Sequence, residues 1–319
     1  MTATVTPTPR TSSPPPSTPQ SRVRKRLTSR WASLIAIVIA LLWTTPTFGL
    51  FLSSFRPEDQ IKQTGWWTFF SDPVLTLENY QSVLFSTSSS SGQMASFLIN
   101  SLVITIPSVL FPVALATFAA YALSWLDFRG RDWIYIGIFA LQVVPLQMAL
   151  VPLLSFFSQG VELFGLQVLP AWDLEGPAKF IQVWFAHTCF ALPVGVFLLH
   201  NFMSELPGSL IEAARVDGAT HGKILRRIVL PLVLPALASF GIFQFLWVWN
   251  DLLVALIFAG GTPDSAPMTV RLAQMAGTRG NEWQRLTAGA FVSIIVPLVV
   301  FLSMQRYFVR GLLAGGIKG

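Results

Sequence analysis

The chain has 319 residues, of which 53% are hydrophobic and 11% charged, and its mean hydropathy is +0.60; a soluble domain carries roughly 25% charge, so composition alone excludes one and leaves several membrane spans. The net charge of +6 resembles a nucleic-acid signal only until the charges are located, because they mark one face of a bilayer. The single cysteine, Cys189, lies in an apolar run and excludes a disulfide framework or a Cys/His zinc site; a buried, inert thiol is expected there.

Residues 1–25 read as a disordered tail, since Pro, Ser and Thr dominate up to residue 21. The basic run RVRKR and the apolar stretch after it have the outline of a secretory signal. The stretch is too long, however, and no small-x-small cleavage site follows, so it is expected to remain as an anchor. From 26 to 319 the chain reads as one transmembrane domain. A spanning helix needs about 20 apolar residues, and six segments qualify: 31–53, 96–122, 133–157, 180–203, 229–259 and 286–308. The expected fold is all-α and polytopic, with six transmembrane helices. Pro46, Pro107, Pro112, Pro145, Pro152, Pro193, Pro231, Pro235 and Pro297 punctuate the spans. Neighbouring helices can satisfy the carbonyls that proline frees, and such kinks suit helices bent around a pathway. In the long connection 54–95, GWWTFF (65–70) reads as an interfacial aromatic patch, and the Ser-rich run ending at Gly92 as a flexible joint.

Lys and Arg give the direction. On the face of the N-terminus lie Arg10, Arg22, Arg24, Lys25, Arg26, Arg30, Arg129, Arg131, Arg215, Lys223, Arg226, Arg227, Arg306, Arg310 and Lys318. On the other lie Arg56, Lys62, Lys179, Arg271, Arg279 and Arg285. The bias is fifteen to six of the 21 cations, and the positive-inside rule then puts both termini in the cytoplasm of a multi-pass cell-membrane protein.

The connection 204–231 is unusual for its structure. Pro207 suits a helix start, Ser209 and Glu212 have the spacing of a capping box, and Gly218 suits a left-handed helix end. Thr220 can then cap a second short helix carrying Lys223, Arg226 and Arg227. The expectation is helix, tight turn, helix at the cytoplasmic surface. Ala213 and Ala214 present little side chain, which allows another protein surface to approach closely. On these grounds a protein-docking helix and a helix lying on anionic headgroups are equally supported.

A resemblance separates them. Glu212-Ala213-Ala214, three residues, Gly218, nine residues, Ile228, one residue, Leu230-Pro231 is similar at every spacing to the EAA signature of ATP-binding-cassette importer permeases. AYALSWLDFRGR (120–131), WNDLLVALI (249–257) and QRYFVRGLLAGGIKG (305–319) resemble the second permease subunit of maltose-type carbohydrate importers. GWWTFF, PMTVRLAQMAG (267–277) and RGLLAGGIKG look most like α-glucoside permeases. The resemblance covers residues 25 to 319. It implies the type I importer permease fold and a pathway shared with a second, homologous permease. It also implies two cytoplasmic ATPases that bind ATP and magnesium, and an extracytoplasmic sugar-binding protein that delivers the solute. Glu212, Ala213, Ala214, Asp217, Gly218, Ile228, Leu230 and Pro231 would form the coupling element against the ATPase.

The chain itself has no P-loop. Gly218-Ala219-Thr220-His221-Gly222-Lys223-Ile224 has three residues between its glycines rather than four, and Ile where a hydroxyl must reach magnesium. His187, His200 and His221 lack a metal-ligand pattern, so no metal, no cofactor of its own and no enzymatic activity are expected. Secondary transporters and channels place ionisable groups in mid-span; here the spans are nearly free of them, with Asp251, toward the outer end of the fifth span, as the main exception. Sugar recognition needs aromatic faces and amides, and the pathway candidates are Gln142, Gln147, Gln244, Trp247, Asn250 and Asp251, with Trp249 beside them. Helix–helix bonding by the amides and interfacial anchoring by tryptophan compete with that role.

Overall fold

The computed structural model describes residues 30–85, 93–172, 174–277 and 282–316. The tail 1–25, the Ser-rich run to Gly92, Arg279 and Lys318 lie outside the described residues. The chain divides into two units, Met1–Leu52 and Ser53–Gly319.

The first unit contributes most of helix α1 (Arg30–Ser54), which is almost wholly apolar and contains Pro46. Directly before that proline, the Thr44 and Thr45 hydroxyls donate back to the Ala40 and Leu41 carbonyls at 2.7 Å. Such back-bonding lets a hydroxyl sit in a helix without a partner from outside.

The second unit begins with the connection read as a long loop, which proves to be packed. It holds α2 (Glu58–Gln63), a 3-10 turn (Trp66–Phe70) and α3 (Glu78–Phe85). Its centre is Arg56, only 1% exposed. The guanidinium donates to the Gly65 carbonyl at 3.0 Å, to Thr64 Oγ1 at 2.6 Å and to Thr68 Oγ1 at 3.0 Å. Asn79 donates to the carbonyls of Ser54 and Arg56 and so closes the loop on itself.

The spans follow. Helix α4 (Met94–Trp125) is the second; α5 (Arg131–Ala140), a 3-10 turn (Leu141–Val143) and α6 (Leu146–Gln159) make up the third. A short antiparallel hairpin, β1 (Val161–Leu163) and β2 (Leu166–Leu169), pairs Leu163 with Leu166 and is the sole departure from helix among the described elements. Next come α7 (Phe180–Ser204), α8 (Gly208–Val216) and α9 (His221–Ile224). A π turn (Leu225–Val229) leads into α10 (Leu230–Trp249), and α11 (Leu253–Phe258), α12 (Met268–Ala276) and α13 (Trp283–Gly316) complete the chain. Among the described residues five helices are long and apolar enough to cross a membrane, or six if the bent pair α5–α6 is one span.

Two spans depart from expectation. The third, expected as one helix over 133–157, is bent by 103° between Val143 and Leu146. Pro145 cannot donate a backbone N–H, and it drives Val144 into extended backbone (ψ 117°). The fifth, expected over 229–259, starts at His221 and stops at Trp249. The basic short helix is thus not a separate surface element. It runs into the span through the π turn, which ends just before Pro231, where the missing N–H removes one ladder bond.

The core lies where α4, α7 and α10 meet. Gly195 on α7 is essential to this crossing, because a Cβ there would stand 2.5 Å from the Phe240 ring and 3.0 Å from the Ala116 methyl. Small residues at span interfaces permit this approach, and dispersion, rather than water exclusion, rewards it inside a bilayer. The same cluster takes in Ile211 and Ala214 of α8 and Ile224 of α9, so the 204–231 element shares the core of the spans.

Candidate functional site

Helix α8 is amphipathic with a narrow buried stripe. Ile211 and Ala214, three residues apart and therefore on one face, are buried, while Glu212, Ala213, Arg215, Val216 and Asp217 are exposed. The expectation of an open alanine face is corrected: Ala214 faces the core of this chain and only Ala213 faces out. The capping box is also absent. The N-cap is Pro207, at φ −60° and ψ 123°, with no side-chain cap bond, so Ser209 already lies inside the helix. The fixed φ of Pro207 places the helix start ahead of the Ser-x-x-Glu register.

The helix end conforms to expectation. Gly218 is left-handed (φ 77°), the Ala219 N–H donates to the Ala214 carbonyl at 2.9 Å, and the Gly218 N–H donates to that of Arg215 at 3.0 Å. These two bonds define a Schellman cap. A Cβ at Gly218 would touch nothing within 4 Å, so only backbone strain opposes a side chain there. Thr220 is the N-cap of α9 as expected, through its carbonyl rather than its hydroxyl. Ile228 and Leu230 pack partly buried against the core, and Pro231 is exposed.

The bend of the third span opens a cavity of about 470 Å³ lined by Gln142, Val144, Pro145, Phe190, Pro193 and Trp247, with Cys189 at its wall. An adjoining space of about 560 Å³ continues along Met148, Pro152 and Phe156. Gln142 donates to the Pro193 carbonyl at 3.2 Å. Trp247 is 52% exposed. Cys189 is exposed, which corrects its reading as a buried thiol.

The structure therefore brings together two of the six pathway candidates. Gln147 is exposed beyond the bend and does not line this cavity. Gln244 is buried and donates to the Ser108 carbonyl at 3.2 Å, joining α10 to α4. Asn250 turns back on the Leu246 carbonyl at 2.8 Å. Asp251 caps α11, accepting from the backbone of Val254 at 3.3 Å and of Ala255 at 2.9 Å. Beyond the cap, its Oδ2 lies 3.7 Å from His187 Nε2, too far for a hydrogen bond, and the ring is 2% exposed with that nitrogen otherwise unpartnered. Trp249 is buried, donating to the Ser293 carbonyl at 3.1 Å. Sequence reasoning missed Pro145, Phe190 and Cys189 as cavity residues. Pro145 was the available signal, since a proline deep in a span flanked by two glutamines marks broken helix.

Comparison with known proteins gives the family. The family described as "Binding-protein-dependent transport system inner membrane component" matches residues 112–313. An osmoprotective compounds uptake permease protein of Synechocystis sp. is 50% identical, over 92% of this chain and 95% of its own length. An alpha-glucoside transport system permease protein of Rhizobium meliloti is 37% identical, over 91% of this chain and 97% of its own. In fold, the chain is similar to a subunit of a bacterial ABC transporter involved in the import of alginate, with a TM-score of 0.61 at 14% identity, over 93% of this chain and 100% of that one. The chain belongs to the family of inner membrane components of binding-protein-dependent transport systems, the permeases of ABC importers.

Proposed function

We propose that this permease is one of a pair that together enclose a sugar pathway, above two cytoplasmic ATPases of which one docks on the 204–231 element, with an extracytoplasmic binding protein delivering the solute. Both termini then lie in the cytoplasm, and ATP and magnesium are bound by the ATPases. The observation that carries the reading is the outward face of α8. Helix α8 adjoins the core through only Ile211 and Ala214, and it presents Glu212, Ala213, Val216 and Asp217 outward, with Val216 87% exposed. A helix meant for anionic headgroups would carry Lys and Arg on that face. Here the outward charges are chiefly acidic, and Arg215 is turned onto the Trp125 carbonyl at 3.0 Å. An acidic and apolar face suits a protein groove.

The test is co-purification of the ATPases with this chain, alongside solute uptake. Glu212→Lys places a cation where the groove should receive a carboxylate; truncating one partner of a buried charge pair costs roughly 2–5 kcal/mol. Gly218→Asp adds about 1–2 kcal/mol of backbone strain at the left-handed turn and re-aims the face. Both variants should remain in the membrane, lose ATPase and stop uptake. Normal ATPase retention and uptake in both would overturn the docking assignment.

For the solute, the cavity offers an aromatic face (Trp247) beside an amide (Gln142), the pairing that binds a pyranose ring and its hydroxyls. Together with the α-glucoside relative, this supports an α-glucosidic oligosaccharide. A second reading, small osmoprotective compounds, is favoured by the 50% identical relative. Uptake of labelled maltose and of labelled glycine betaine, each measured in turn, separates them: an α-glucoside carrier takes up maltose alone.

A further inference from the structure

The 204–231 element runs into α10 by chain continuity, through α9 and the π turn. It is also held to a different membrane helix at two points. Arg215, in the last turn of α8, donates from Nη2 to the Trp125 carbonyl at 3.0 Å. Trp125 is the last residue of α4, so its carbonyl is one of those a helix end leaves without an internal donor, and a cation there also meets the negative end of the helix dipole. The second grip is the Tyr121 hydroxyl, 3.1 Å from His221 Nδ1 and 3.4 Å from the His221 carbonyl. The two rings meet edge to face at 6.1 Å. Tyr121 is 5% exposed, whereas His221 is on the surface.

The placement is what matters. Tyr121 and Trp125 are four residues apart, one turn, and so lie on the same face at the end of α4. Arg215 and His221 lie on either side of the Gly218 turn. Each limb of the turn is therefore fastened to α4.

Building on the docking reading above, we propose that Tyr121 and Arg215 are positioning residues that carry the movement of the docked element into α4. Displacement of α8 then acts on two spans together, α10 through the backbone and α4 through these two grips. Because α4 and α10 both pack at Gly195, moving them in concert changes the cavity wall instead of only bending α10.

The test uses the complete complex in proteoliposomes and a readout that needs no solute. Cys189 lines the cavity, and mass spectrometry of its peptide reports alkylation by N-ethylmaleimide with and without ATP and vanadate. ATP should alter the alkylation rate in the unmodified complex. Tyr121→Phe should retain the ATPases yet reduce that ATP-dependent change roughly three- to tenfold, the factor expected from the net strength of one hydrogen bond. His221→Gln, on the surface, should act likewise and serves if Tyr121→Phe fails to accumulate. The double variant should be no worse than the weaker single one, because both remove one contact. Retained ATPase with a full ATP-dependent change in either variant would overturn the proposal, as would effects that multiply. Loss of ATPase from the unmodified complex would instead strike the docking reading itself.

Discussion

Regular helix stops inside two of the expected spans, at Val144–Pro145 and at Asn250–Leu252, and the two breaks are treated in opposite ways. At the second, the loosened polar groups are tied within the chain. Asn250 bonds the Leu246 carbonyl, Asp251 caps α11, and the Thr269 hydroxyl donates to the Asp251 carbonyl at 2.6 Å. At the first, the chain turns through 103° beside a cavity, and polar groups face that space. Irregular backbone at membrane depth survives only where protein buries it or where it lines a water-filled space. One break is sealed and structural; the other lies open to a cavity. Both look alike in sequence, as an amide or acid near Pro or Trp in an apolar run.

The contrast is broken most severely at Asp251. Asp251→Ala should remove the cap of α11, costing about 0.5–2 kcal/mol. Assembled protein and uptake should then fall together, as judged by detergent-resistant complex per membrane and uptake per complex. Full assembly with uptake lost would move Asp251 to the pathway. Trp247→Ala, at the open break, should spare assembly. It should raise the solute concentration for half-maximal uptake several-fold, since an exposed ring face is worth about 0.5–1.5 kcal/mol. Reduced complex yield in that variant would mean the ring is needed for packing.

Gln142→Leu should have a smaller effect in the same direction, because removing its amide forfeits one neutral hydrogen bond of about 1 kcal/mol. An unchanged uptake curve would take Gln142 out of the recognition surface. The mildest test alters no residue. Cys189 should react with a small maleimide in the intact protein, and a transported solute should slow the reaction, whereas a thiol sealed in the core would not react until the protein unfolds.

Most of the spans and the helix–turn–helix element at 204–231 were legible because their causes are local. Apolar length gives each span, and the left-handed turn at Gly218 follows from glycine's lack of a Cβ. Pro207 marked the helix start, but the capping box expected at Ser209 and Glu212 does not form, since the helix begins ahead of that register. The cavity was legible only in part. Gln142 and Trp247 meet at the cavity, but nothing in the residues 244–251 distinguishes Gln244, turned to Ser108, from Trp247, turned to open space.

By itself the sequence determined that this is a polytopic all-helical permease with a turn-hinged element ahead of the span that ends at Trp249. Apolar period, proline and glycine act over a few residues, and the signature at 212–231 is contiguous. Only the tertiary structure decided which break is sealed, which alanine of the 213–214 pair faces out, and that α8 and α9 are fastened to the end of α4. Those outcomes depend on partners far away in the chain, such as Tyr121 with His221 and Gln142 with Pro193, 100 and 51 residues apart. A side chain's type states what it can bond, but the crossing of the helices selects the partner it reaches.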